Sequence, residues 1–343
     1  MTEKTTKSTA LTCNYFSAQP STVPRYVRLC TSCHRIYPEN VYYCEADDSR
    51  LVKINPRGQS KCEKQSVNTY SLETLIGIGC SSEVWVALDT RNGRRVALKL
   101  LRVYGQDPEA IIDACIRFFR EAMAVSALGH PHVIELLDHG LDTASGQAYQ
   151  AFELLSGQSL AAYIRQWRMP RDLVFALTIA TQIADGMARV HAAGILHRDL
   201  KPSNLYVVEN QGHLHVKILD FGLAKFRDTS TLVSITQNMA MGTPAYLSPE
   251  QAQGFPLSET SDVYNLGVVL FEMLTRKLPF KGSPGHMMQS HAFKPAPDIR
   301  KIASWISEDL AQVIATALAK DPAQRFPNMV QFGLALRQLL ISL

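Results

Sequence analysis

His197-Arg198-Asp199-Leu200-Lys201-Pro202-Ser203-Asn204 is the stretch from which the rest of the chain is read. It gathers an acid, a cation and an amide into one short loop. Asp199 can accept a proton from an attacking hydroxyl, Lys201 can neutralise a phosphate, and Asn204 offers an oxygen to a hard metal ion such as Mg²⁺. Apolar runs flank it, Gly194-Ile195-Leu196 before and Leu205-Tyr206-Val207-Val208 after. That pattern predicts a polar loop held between two short buried strands. A charged surface turn is the competing reading while the octapeptide stands alone.

Working outward, the Leu205–Val208 strand turns at Asn210-Gln211-Gly212 into His215-Val216-Lys217-Ile218-Leu219, and Asp220-Phe221-Gly222 follows. Upstream, Leu173, Leu177, Ala180, Ala184, Met187 and His191 recur at helical spacing over 171–193, ending at Gly194. Further upstream, Gly77-Ile78-Gly79-Cys80-Ser81-Ser82-Glu83-Val84 lies between strand-like runs at 70–79 and 83–89. Glycines there let backbone N–H groups approach phosphate oxygens. A third run, 95–101, contains Val96-Ala97-Leu98-Lys99, and a buried lysine needs a partner. Glu121, on a helix predicted over 110–128, is the candidate.

In this order the elements resemble a protein kinase, specifically the eukaryotic-like Ser/Thr kinases of bacteria. The likeness runs from Gly77 to Arg325 and implies an α+β, two-lobed kinase fold with a small β-rich N-lobe over 70–155 and a helical C-lobe over 156–343. It implies ATP and Mg²⁺ (or Mn²⁺) as cofactors and transfer of the γ-phosphoryl to Ser or Thr hydroxyls. Asp199, Lys201, Lys99 and Glu121 take the catalytic roles, and Asn204 and Asp220 hold the metal. The nucleotide falls to Gly77, Ile78, Gly79, Val84, Ala97, Lys99, Glu153, Leu155 and Leu205, with Phe152 as gatekeeper beside the hinge. Ser82 stands where the family has a third glycine.

Gly242-Thr243-Pro244-Ala245-Tyr246-Leu247-Ser248-Pro249-Glu250-Gln251 resembles the end of an activation segment in the Ser-Pro-Glu-Gln form of bacterial kinases. The Thr-Pro and Lys201 suit Ser/Thr substrates. The resemblance pairs Glu250 with Arg325 and gives Asp262, on a buried helix over 261–275, backbone N–H donors from the 197–204 loop. Arg198 before Asp199 implies an anion to meet it, and phosphorylation supplies one. Thr229, Ser230, Thr231, Ser234 and Thr236 are the candidates, Thr236 foremost. The implied partners are protein substrates and, transiently, a second copy for autophosphorylation in trans. The alternative is a pseudokinase, a nucleotide-binding scaffold acting through protein contacts, although only Ser82 departs from the catalytic pattern.

Residues 1–24, rich in Ser, Thr and Pro, are expected to be poorly ordered. Cys30-x₂-Cys33-x₁₀-Cys44-x₂-Asp47 follows, a knuckle and a second turn whose ligands can close a tetrahedron around Zn²⁺. Only three cysteines fall in register. Asp47 takes the fourth position, with His34 and Cys62 as competitors. The run resembles a small zinc ribbon at the front of some bacterial kinases, where Asp-Gly usually follows, whereas here Asp48 does. The zinc-ribbon-like segment spans 25–54, and 55–69 reads as a linker.

The 343 residues carry 46% hydrophobic and 19% charged side chains, an ordinary soluble composition, and a net charge of +4 gives no argument for nucleic acid. Seven cysteines show no disulfide framework. No apolar stretch is long enough for a membrane span, and residues 1–12 lack the apolar core of a secretory signal. Many bacterial relatives carry a span after the kinase domain, and this sequence ends before one begins. A cytoplasmic location is therefore expected.

Overall fold

Strand alternation and helix periodicity alternate along this chain, and a computed structural model shows what they build. It describes residues 27–29, 36–38, 40–44, 51–54, 66–79, 81–102, 108–142, 144–166, 173–210, 213–221, 225–226 and 244–343. The chain divides into two compact units, one of 1–123 with 135–154, the other of 124–134 with 155–343.

The first unit begins with a small antiparallel sheet of β1 (Val27–Leu29), β2 (Ile36–Pro38) and β3 (Val52–Ile54), ordered β2-β1-β3. Tyr37, Cys44 and Leu51 form its buried cluster, with Val41 packed on it. A six-stranded antiparallel sheet follows: β4 (Ser66–Val67), β5 (Tyr70–Ile78), β6 (Ser82–Asp89), β7 (Arg94–Leu101), β8 (Leu136–Leu141) and β9 (Ala148–Glu153), in the order β4-β5-β6-β7-β9-β8. Period-two alternation buries Val96, Leu98 and Leu100 of β7 on one face and leaves Ala97 and Lys99 on the other. The β6–β7 hairpin turns at Gly93, whose φ of +72° is one glycine adopts without a Cβ penalty. Helix α1 (Pro108–Ser126) buries Ile111, Ile112, Cys115, Phe118 and Phe119.

The expected linker stops short of its end. Ser66–Val67 is an edge strand paired with Ser71 and Tyr70, and Val67 is fully buried. Two residues carry no periodicity, so the strand had no sequence signal.

The second unit holds a three-stranded sheet, β10 (Gly157–Ser159), β12 (Leu205–Asn210) and β13 (His213–Ile218), ordered β10-β12-β13, and a two-stranded one, β11 (Ile195–Leu196) with β14 (Lys225–Phe226). Its helices are α2 (Leu160–Gln166), α3 (Leu173–Ala192), α4 (Pro249–Gln253), α5 (Glu259–Thr275), α6 (Pro284–Phe293), α7 (Glu308–Ala317) and α8 (Met329–Ile341). Helix α5 is apolar almost all round, with thirteen buried residues from Ser261 to Leu274, as befits a helix at the centre of a core. Helix α3 is long and apolar enough to cross a membrane by length and composition, yet 56% of its apolar window is buried inside the fold. It ends at Gly194, where φ is +75°, and the chain passes directly into β11 and the polar loop.

Candidate active site

In the first unit the site starts from Lys99, whose side chain leaves β7 on the face opposite Leu98. Its Nζ donates to Glu121 Oε1 at 2.7 Å, and the two side chains are 15% and 6% exposed. Charges this far from water need each other, so α1 is held where Glu121 can reach the strand. A second tie was not read from the sequence: Gln150, fully buried on β9 opposite Lys99, donates from Nε2 to the Phe118 carbonyl of α1 at 2.5 Å. An amide in an apolar strand gives no pattern that reveals its partner.

Gly77 and Ile78 end β5, and Val84 pairs with both Gly77 and Lys99. The turn is closed by Gly79 N–H donating to Ser82 C=O at 2.7 Å. Ser82 opens β6 and pairs with Leu101, outside the left-handed region, so a serine fits where the family has glycine without strain. Ala97 pairs with Val86 and Phe152. Glu153 ends β9, its N–H bonded to Glu135 C=O at 3.1 Å and its carboxylate accepting Glu135 N–H at 2.9 Å.

The second unit holds the 197–204 loop. Ile195 and Leu196 are buried in β11, and the next two peptides meet Asp262 of α5. His197 N–H donates to Asp262 Oδ2 and Arg198 N–H to Oδ1, each at 3.0 Å. His191 Nε2 approaches the same carboxylate at 2.8 Å. Burial pushes the Asp262 carboxyl up, but the hydrogen bonds from His191 and from the Arg198 N–H hold it below its ordinary range. A buried ionised carboxylate thus fixes the loop's entry.

His197 is itself buried. Its Nε2 donates to Leu219 C=O at 3.1 Å, which leaves Nδ1 as the acceptor for Asp199 N–H at 3.3 Å. Asp199 Oδ2 receives Lys201 Nζ at 2.7 Å and Asn204 Nδ2 at 3.1 Å, and Asn204 Nδ2 also meets the Asp199 carbonyl at 2.8 Å. Pro202 starts the 3₁₀ turn that carries Asn204 there. Leu219 N–H returns to Asn204 C=O at 2.8 Å, which fixes the end of β13 to the loop. Beyond it, Asp220 is exposed with φ +60°, and Phe221 is buried against the His197 ring, 5.1 Å between centroids. Leu205 is fully buried and pairs with Ile218; Leu155 is half-buried.

Glu250 and Arg325 form a bidentate pair at 2.8 and 2.9 Å, almost wholly out of water. Arg198 has φ +68°, and burial, opposed by the Asp262 charge, lowers the proton affinity of its guanidinium. Its Nε is buried with no hydrogen-bond partner among the described residues.

Cys30, Cys33, Asp47, Cys80, Gly222, Thr243 and the Thr229–Thr236 candidates lie outside the described residues. Cys44 lies within them, 1% exposed, with Sγ 3.3 Å from Tyr37 Oη. Among the described residues no three His, Cys, Asp or Glu side chains gather to hold a metal.

The oxygen donors Asn204 and Asp220, flanking one β-hairpin beside Asp199 and Lys201, suit a hard cation bound to phosphates, and Lys99 is a paired cation on a strand. These are residue types that phosphoryl transfer uses. The sequence matches the protein kinase domain family over residues 70–332, and the chain belongs to that family. It is 35% identical over 283 residues to the serine/threonine-protein kinase PknA of Corynebacterium glutamicum, covering 81% of this chain and 58% of that protein. The PknA of Mycobacterium tuberculosis is 37% identical over 264 residues, 75% and 58% of the two chains, and Pkn1 of Myxococcus xanthus 32% over 274, 79% and 38%. The chain thus spans between 38% and 58% of the length of these relatives. The crystal structure of the Mycobacterium tuberculosis PknI kinase domain superposes with a TM-score of 0.61 at 23% identity, over 80% of this chain and 97% of that one. That likeness bears on the fold, which is the two-lobed kinase architecture.

Proposed function

We propose that the chain is a Mg²⁺/ATP-dependent protein serine/threonine kinase that phosphorylates proteins and its own activation segment. The observation that carries this reading is the carboxylate of Asp199, braced through Oδ2 by Lys201 and Asn204 on a loop tied to buried Asp262. Among the described residues both donors fall on Oδ2, so Oδ1 is the oxygen to receive a substrate hydroxyl's proton. Lys201 would neutralise the transferred phosphoryl, and Lys99, oriented by Glu121, would fix the α- and β-phosphates. Asn204 and Asp220 would hold Mg²⁺, which supplies charge neutralisation at the β- and γ-phosphates when bound. Because phosphoryl transfer asks little covalent help of the protein, positioning carries the rate. The nucleotide would meet Gly77, Ile78, Gly79, Val84, Ala97, Glu153, Leu155 and Leu205. The three relatives described above are all named serine/threonine-protein kinases, which favours Ser/Thr over Tyr and an enzyme over a pseudokinase scaffold.

The reading extends to the front of the chain. A zinc ribbon closed by Cys30, Cys33, Cys44 and Asp47 would staple a sheet of three-residue strands, whose buried cluster is too small to hold itself by burial alone. ATP and reduced thiols make the cytoplasm the location that suits both parts.

The test is incubation of purified protein, and of an Asp199→Asn control, with labelled ATP and a generic protein substrate, followed by phosphosite mapping. Transfer that disappears in the control, with phosphate at Thr236, supports the reading. Nucleotide binding without transfer in the unaltered protein would return the scaffold alternative.

A further inference from the structure

Arg198 is held in the left-handed region, φ +68°, immediately before Asp199. A residue with a Cβ resists that conformation, so the peptide on either side must be held from outside. On the N-terminal side Asp262 does this, through Arg198 N–H at 3.0 Å. On the C-terminal side the Arg198 carbonyl accepts from Gln251 Nε2 at 2.6 Å. Gln251 belongs to α4, in a segment far along the chain from the loop, and every other polar atom of its amide is already committed. Its Oε1 accepts Ser248 N–H at 2.8 Å, half of a capping box whose other half is Gln251 N–H on Ser248 Oγ at 3.2 Å. The same Oε1 accepts Asn265 Nδ2 at 3.1 Å, and Asn265, buried on α5, also donates to Tyr246 C=O at 2.6 Å. Two donors on Oε1 fix which end of the amide is oxygen, and so assign the NH₂ to Arg198.

We propose that Gln251 is a positioning residue for catalysis: its NH₂ clamps the strained Arg198 peptide and thereby sets the direction of Asp199. The inference deepens the kinase reading and rests on it for its kinetic consequence, but the clamp itself is a property of the loop. It couples the segment ending in Ser-Pro-Glu-Gln to the catalytic aspartate through one hydrogen bond, independently of Lys201 and Asn204. Substrate and nucleotide contacts are untouched, so the effect belongs in kcat.

Gln251→Glu keeps the acceptor for Ser248 and Asn265 and replaces only the donor, setting a carboxylate oxygen against the Arg198 carbonyl. At pH 8 kcat should fall roughly 10- to 100-fold, the scale of an ångström-level misplacement, with KM for ATP and peptide within about twofold. Protonation of the glutamate restores an O–H donor, so the deficit relative to wild type should shrink as pH falls toward the ordinary glutamate value of about 4.3, by at least about twofold at pH 5. In an Arg198→Gly background, where the left-handed backbone is unstrained, the same substitution should cost under about twofold. Amide exchange over 195–205, read by mass spectrometry at pH 8, should be faster in Gln251→Glu than in wild type and equally fast in Gln251→Met. Unchanged exchange in both variants overturns the clamp, as does a deficit that is independent of pH and of the residue at 198. Faster exchange in a protein that transfers no phosphate at all would retain the clamp and overturn the kinase reading instead.

Discussion

Replacing Arg325 by methionine is the perturbation that the structure prices most directly. The Arg325 side chain is fully buried and its guanidinium has all its donors engaged. Nη1 and Nη2 form the two bonds to Glu250, while Nε reaches Ala319 C=O at 2.7 Å, Nη1 reaches Thr260 C=O at 2.8 Å and Nη2 reaches Lys320 C=O at 3.0 Å. Methionine fills much of the volume but strands a buried carboxylate and three carbonyls. Removing one partner of such a pair costs about 3–5 kcal/mol. Against a typical total of about 5–15 kcal/mol that is a large share. For a unit of this size it corresponds to a fall in Tm of roughly 6–20 °C.

The pH dependence fixes the sign independently. Burial pushes the Glu250 carboxyl up, the Arg325 bonds and charge pull it down, and the net is below its ordinary 4.5. Its contribution is therefore fully present above about pH 4.5 and lost as pH falls through the folded value. The assay is urea unfolding of wild type, Arg325→Met, Glu250→Gln and the double variant at pH 7 and pH 4. The double variant should be at least about 2 kcal/mol more stable than the sum of the singles, and the wild-type advantage should narrow at pH 4. A single-variant loss under about 1 kcal/mol, or additivity within about 0.5 kcal/mol, would refute the reasoning.

Lys99→Met should abolish most phosphate transfer and Glu121→Gln should weaken it less, measured as initial rates with labelled ATP; equal wild-type rates in both would remove the pair from the mechanism. Lys320, whose Nζ donates to the His291 carbonyl at 2.8 Å and to Tyr264 Oη at 3.1 Å, is pushed by burial and by the Arg325 charge from 10.5 down to about 8. The unfolded chain keeps that proton up to 10.5, so wild-type stability relative to Lys320→Met should rise between pH 8 and 10.5, and a falling difference would contradict the shift. Purified protein should carry about one zinc per chain, lost in Cys30→Ser/Cys33→Ser; metal analysis finding none in protein prepared without chelator would end the zinc proposal.

The parts of the site legible in the sequence are those whose partners are adjacent or whose pattern is periodic. Asp199, Lys201 and Asn204 fall within one loop, so their shared chemistry can be read without the fold. Lys99 stands out because a cation interrupts an alternating strand. Asp262 is different: nothing near it in sequence says what it binds, and its donors at 197 and 198 followed only from family resemblance. Gln251 and Gln150 were missed because an amide's partner depends on which backbone carbonyl the fold brings near. Gln251 is the last residue of the Ser-Pro-Glu-Gln run, but nothing in that run says which carbonyl its amide meets. The same physics explains Ser66–Val67, where burial comes from an edge pairing too short to leave a period.

The distribution of strain says why the loop needs so much support. Arg198 and Asp220 both adopt positive φ without being glycine, and each adjoins or is a carboxylate with an assigned role. Glycine at either position would relax the backbone. Holding Arg198 there costs about 1–2 kcal/mol, and the two N–H bonds to ionised Asp262 offset it, at about 1.5–3 kcal/mol for a bond to a charged group. The margin is small enough that protonating Asp262 would release the loop. Since its carboxyl is held below the ordinary value of 3.8, that release comes only as pH falls below that value. Asp262→Asn should therefore do at neutral pH what acid does to the wild type. One of the two loop bonds would face an NH₂ instead of an oxygen, and amide exchange at 197–199 should rise sharply while α5 stays protected. Exchange left unchanged by that substitution would mean that Arg198 holds its conformation without the carboxylate.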